Sequence, residues 1–158
     1  MPKTIRQQIV EAVTARFQTI LVANGYKSDL GKNVNRFRNV QHKPIEPEEL
    51  PALNLMDLKD ELEAMASGRH KHHLNFEAHL FTQGSASDDT VRDSLIADIY
   101  KAIGADIYFT TSGVRLAFET TPVDDELVIE QLGKVIGGAI VRFKVHSQTV
   151  AWDPYTKV

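Results

Sequence analysis

The sequence predicts a single α+β domain: a mixed, mostly antiparallel β-sheet with two main α-helices packed on it. Three observations carry this expectation. Apolar residues recur at helical spacing in two stretches, near residues 5–21 and 91–103. Elsewhere they alternate with polar residues at period two, the mark of strands with one buried face. The 158 residues hold no internal repeat and no low-complexity linker, so one core is expected over 1–158, with 148–158 as an extended C-terminal tail. Helix, strands, helix, strands, joined by tight turns, then gives one sheet carrying two helices.

The first helix opens on Thr4, which with Gln7 forms a capping-box pattern. Ile5, Ile9, Val13, Phe17, Ile20 and Leu21 make its stripe, and Gly25 supplies a left-handed stop. Residues 34–40 are a candidate strand with imperfect alternation. "KPIEPEELP" reads as an extended acidic loop, because three prolines interrupt any regular ladder. A strand over 52–58 and a second, short one over 61–65 lead to a turn at Ser67-Gly68. In "RHKHHLNFEAHLF", Leu74, Phe76, Ala78 and Leu80 alternate with Asn75, Glu77 and His79. His73 and His79 therefore belong to the polar face, and His70 and His72 lie in or near the turn.

The second helix has Ser85 or Ser87 as its cap, Asp88 and Asp89 in the first turn, and Val91, Leu95, Ile99, Ala102 and Ile103 as its stripe. Lys101 and Gly104 mark its end. Residues 114–118 alternate like a strand, a turn is expected at 121–125, and 127–132 is expected to pair back. From Gly137-Gly138 onward, Ala139, Val141, Phe143 and Val145 alternate with Ile140, Arg142, Lys144 and His146. The predicted core comprises Phe17, Phe76, Leu95, Ile99 and Val141, with Phe118 and Phe143 on the same face.

Composition excludes several chemistries. Without cysteine there is no disulfide, thiolate nucleophile, Cys-ligated zinc or iron–sulfur cluster. No apolar run approaches the ~20 residues of a membrane span, and the N-terminus lacks the apolar core of a secretion signal. The net charge of −3 hides an asymmetry: residues 1–43 carry eight Lys/Arg against two Asp/Glu, and residues 44–158 carry ten against nineteen. Such a balance suits a nucleic-acid surface or two unlike docking faces.

Enzyme signatures are missing. There is no G-x-S-x-G elbow, no G-x-G-x-x-G, and Gly133-Lys134 lacks the earlier glycine of a phosphate-binding loop. Asp88/Asp89 and Asp124/Asp125 read as helix-terminal and turn residues. The H-x-H pair His70/His72 and the pair Glu77/His79 have metal-ligand spacing, but no third ligand is marked, so no metal is expected. "GKNVNRFRNV" is the candidate nucleic-acid segment, with Lys32, Arg36 and Arg38 for phosphates and Phe37 for stacking. A solvated strand edge accounts for it better, and Arg36 and Arg38, two apart, are expected to point the same way.

The layout resembles a family. "TIRQQIVEAVTARFQTILVANGY", "EPEELPALNLMDL", "HHLNFEAHLF", "SASDDTVRDSLIADIYKAIGAD" and "IGGAIVRFKVHSQTVAWDP" together resemble the tail terminator (tail-completion) proteins of long-tailed bacteriophages, the lambda-type family. The likeness runs over nearly the full length, and the histidine-rich 70–73 is not part of it. It implies a structural virion protein, not an enzyme, with no cofactor. Such a protein forms a homohexameric ring on the head-proximal end of the tail, after assembly in the host cytoplasm. Its partners would be itself, the tail tube protein and the head connector, with no specific nucleic-acid binding and no membrane. The interface candidates under this reading are Lys32, Arg36, Phe37 and Arg38, with Trp152, Asp153 and Tyr155 of the tail. The alternatives are another head-completion or connector protein, a small nucleic-acid-binding module, and a metal-dependent enzyme using the histidines.

Overall fold

The computed structural model describes residues 1–83, 89–132 and 134–158. Helix α1 (Ile5–Gln18) starts where expected. Gln7 N–H donates to the Thr4 hydroxyl, and the Gln7 side chain accepts from Thr4 N–H. The helix ends at Gln18 rather than near 21, because Thr19 closes it and a 3₁₀ turn (Val22–Asn24) follows. Gly25, at φ +87°, caps that turn. Leu21 is thus outside the helix, while Ile20 is still buried.

Strand β1 (Val34–Arg36) runs parallel to β2 (Ala52–Met65), which pairs antiparallel with β3 (Arg69–Gln83). Helix α2 (Asp89–Gly104) and a small hairpin, β4 (Thr110–Thr111) with β5 (Val114–Arg115), precede β6 (Glu119–Leu132) and β7 (Lys134–Val150). The main sheet has the order β1-β2-β3-β7-β6, antiparallel except at β1–β2. The fold is α+β, a mixed sheet with two helices, in one compact unit.

Alternation places Leu74, Phe76, Ala78 and Leu80 of β3 beside Val145, Phe143, Val141 and Ala139 of β7, all buried. Phe17 of α1 and Leu95 and Ile99 of α2 complete this core. Helix α2 also grips the loop after α1. The buried Asp98 carboxylate accepts from Lys27 N–H, Ser28 N–H and the Ser28 hydroxyl, and Lys101 Nζ donates to Gly25 O at 2.6 Å. Gly31 then passes so close to α1 that a Cβ would lie 2.5 Å from Gln18 O.

Several expectations are corrected. Residues 52–58 and 61–65 form one strand, because a bulge at Leu58 puts two residues against one and restores the phase. The turn expected at 121–125 lies inside β6, where Pro122 and a second bulge at Val123 are tolerated on an edge strand. Residues 114–118 are not one strand: Leu116 and Ala117 are consecutive and both buried, which no alternation allows. Residues 127–132 pair with β7 instead, and Phe118 is exposed. Val91 is exposed too, at the solvent margin of α2. His70 and His72 are near the turn but inside β3, which starts at Arg69. The expected caps Ser85 and Ser87, and Asp88, lie outside the described residues. The tail does not extend away: 148–150 belong to β7, and Val150 N–H and Val158 N–H donate back to Thr156 O and Gln148 O. Ile5 N–H donates to Pro154 O, tying this tail to the start of α1.

Candidate functional site

The basic segment lies at the β1 edge of the sheet. Lys32 is exposed and pairs with Asp29 at 2.8 Å. Arg36, the last residue of β1, reaches Asp57 Oδ1 at 2.9 Å, while Arg6 of α1 reaches Asp57 Oδ2 at 3.0 Å. Two guanidiniums share one carboxylate, leaving a net positive charge at this edge.

Phe37 then adopts φ +48°, and its N–H donates to Leu55 O. This left-handed residue ends the alternation, so Arg36 and Arg38 do not face one surface. The Asn54 side chain accepts from Arg38 N–H and donates to Arg38 O, pinning the chain as it turns. The Arg38 guanidinium folds inward, donating to both Glu49 carboxylate oxygens and to Lys43 O and Pro44 O. The Arg38 hydrogen bond holds the Glu49 carboxyl down at about 2. Arg38 is therefore a strut of the 38–50 loop, and Phe37, 50% exposed, is left standing out beside Arg36.

The tail candidates lie elsewhere, at the β2–β3 turn end of the sheet. Trp152 is 91% exposed at φ +63°, with its ring edge-on to His70 at 5.0 Å. Asp153 turns back on the tail, its carboxyl lowered chiefly by the Thr156 hydrogen bond, and it accepts from Tyr155 N–H. Tyr155 is exposed. The seven candidates thus divide into two groups, and the structure brings neither group to the other.

The opposite edge is β6, whose acidic run at 124–126, with the glutamates of 46–63, is the expected counterpart of the basic segment. Arg142 of β7 meets three carboxylates: Glu77 at 3.1 Å, Asp124 at 2.9 Å and Glu126 at 3.3 Å. Those carboxylates, Glu126 first, raise the Arg142 pKa and leave a net negative charge. Asp125 accepts from the Tyr100 hydroxyl, whose pKa is raised to about 12 by burial and then by that bond. Val123 and Leu127 stand 51% and 52% exposed on either side of Asp125. Charge clusters that form only across strands leave no signal in the linear chain.

The histidines are held by separate partners. His79 pairs with Glu77, His73 with His146, and His70 packs on Trp152. His72 Nδ1 meets Asp60 Oδ2 at 2.8 Å and its Nε2 meets the Thr149 hydroxyl at 2.9 Å. This chain has the connectivity of a proton relay and borders a cavity of about 180 Å³ beneath the first turn of α1. Thr149 is nevertheless 4% exposed within β7, so the bonds tie β2, β3 and β7 together. Among the described residues no group of three or more His, Asp or Glu is arranged to hold a metal. Among them, too, no helix is long and apolar enough to cross a membrane. Compared with protein-family models and with curated protein sequences, the chain matches none.

Proposed function

We propose that this chain is a structural assembly protein of the tail-terminator kind. Copies join head to tail into a ring that caps a phage tail tube, ends its polymerisation and offers a surface for joining the head. The observation that supports the reading is the pair of unlike sheet edges. At one edge Arg36 and Arg6 share the Asp57 carboxylate; at the other, β6 carries Asp124 and Glu126, both tied to Arg142 of the adjoining strand. A heterologous interface needs two such different, complementary surfaces on one molecule, and a closed rotation of that contact makes a ring. The basic segment counts against phosphate binding, since Arg38 is consumed inside its own loop.

The test is mass in solution at several protein concentrations, followed by imaging with tail tubes that lack a terminator. A discrete oligomer and tubes of uniform length are expected. A chain that stays monomeric at every concentration, and leaves tube length unchanged, overturns the proposal. Duplex binding that weakens steeply with salt would instead favour the nucleic-acid module.

A further inference from the structure

The strand register places the two unlike edges at the same height. Arg36 pairs with Leu55, Leu55 with Ala78, Ala78 with Val141, and Val141 with Asp125. These five residues form one row across the sheet, with Arg36 at one end and Asp125 at the other. Paired residues in neighbouring strands share a face, so both end on the side that carries the helices. Four strand spacings separate them, ~19 Å. A copy displaced sideways along this row brings its Asp125 to the neighbour's Arg36.

What flanks the row ends is also matched. Beside Arg36 stands Phe37, half exposed and held left-handed by the clamp of Asn54 on Arg38. A non-glycine residue at positive φ costs free energy, and the surroundings here enforce it while leaving the ring outside. Beside Asp125 stand Val123 and Leu127, two exposed aliphatic side chains with an acidic residue between them. The bulge at Val123 interrupts the regular ladder of β6 on that side of Asp125.

Resting on the ring reading, we propose that the Arg36–Phe37 corner of one copy docks on β6 of a second copy. Phe37 seats between Val123 and Leu127, and Arg36 faces Asp125. An aromatic anchor in an apolar seat, ringed by opposite charges, has the composition of an interface hot spot. Arg38 takes no part, since its donors are engaged within the loop.

Two variants test the contact. Phe37→Gly removes the ring at a position whose backbone glycine adopts freely, so folding is not impaired. Leu127→Arg changes an exposed side chain on the other edge. Each alone is expected to raise the concentration needed for assembly about tenfold or more, with far-ultraviolet circular dichroism unchanged. Mixed, the two variants retain one intact contact between them, the Leu127→Arg copy supplying Phe37 and the Phe37→Gly copy supplying the seat. The mixture is therefore expected to stop at dimers. Assembly of both variants at the wild-type concentration overturns this interface while leaving the ring reading intact, as does a mixture that yields full rings. A wild-type protein that never assembles, with or without tubes, overturns both.

Discussion

Replacing Phe143 probes the point where sheet and helix meet. Its ring stacks on Phe76 of β3, with centroids 5.1 Å apart and planes 5° from parallel. It also meets Phe17 of α1 edge-on at 5.9 Å and 79°. Phe143→Ala removes a buried ring and leaves a cavity between rigid elements, a cost of about 3–5 kcal/mol. Each aromatic pair contributes ~0.5–1.5 kcal/mol beyond area, so Phe143→Leu, which keeps most of the volume, should cost about 1–3 kcal/mol. Against a total stability of ~5–15 kcal/mol, the alanine variant is severely weakened, with a Tm lower by about 6–20 °C. Urea unfolding followed by far-ultraviolet circular dichroism is the assay. Fluorescence is a poor reporter here, because the single tryptophan, Trp152, is already 91% exposed. Leucine costing as much as alanine would refute the aromatic account, and so would strict additivity of Phe17→Leu with Phe143→Leu.

Leu95→Ala should cost about 2–5 kcal/mol, and Val91→Ala, on the exposed side of the same helix, less than ~1 kcal/mol; equal urea midpoints for the two would mean the helix faces are misplaced. Gly31→Ala places a Cβ against the Gln18 carbonyl and should destabilise by about 1–3 kcal/mol, read as a lower urea midpoint. His146 has its pKa lowered from 6.5, first by burial and then by the charge of His73. The unfolded chain therefore takes up this proton more readily, so stability is full above 6.5 and declines as pH falls through that value. The urea midpoint should drop between about pH 7.5 and about pH 5.5, and His146→Gln should flatten that part of the dependence.

Both helices and the facing sides of β3 and β7 were legible in the sequence, because burial imposes a period on the residues that suffer it. Leu74 to Leu80 and Ala139 to Val145 show this directly. The continuity of β2 and β6 escaped, since the bulges at Leu58 and Val123 break the period within each strand. Segment 114–118 misled for the opposite reason. Its alternation is genuine in the letters, but tertiary contacts bury Leu116 and Ala117 together. The basic half of the candidate site could be read from charge and aromatic content. Its acidic counterpart could be read only in part: Asp124 and Glu126 stand together in the chain, but Glu77 and Arg142 come from other strands, and only register joins them.

The strand order also has a kinetic side. The antiparallel pairs β2–β3 and β6–β7 join neighbours in the chain and can close early. The seam between them, β3 against β7, joins segments separated by about fifty residues, α2 among them. Loop-closure entropy falls due before that seam returns any burial, so seam formation should limit the folding rate. Substitutions along Leu74 to Leu80 and Ala139 to Val145 should then slow folding, whereas those in the outer halves of the two pairs should mainly hasten unfolding.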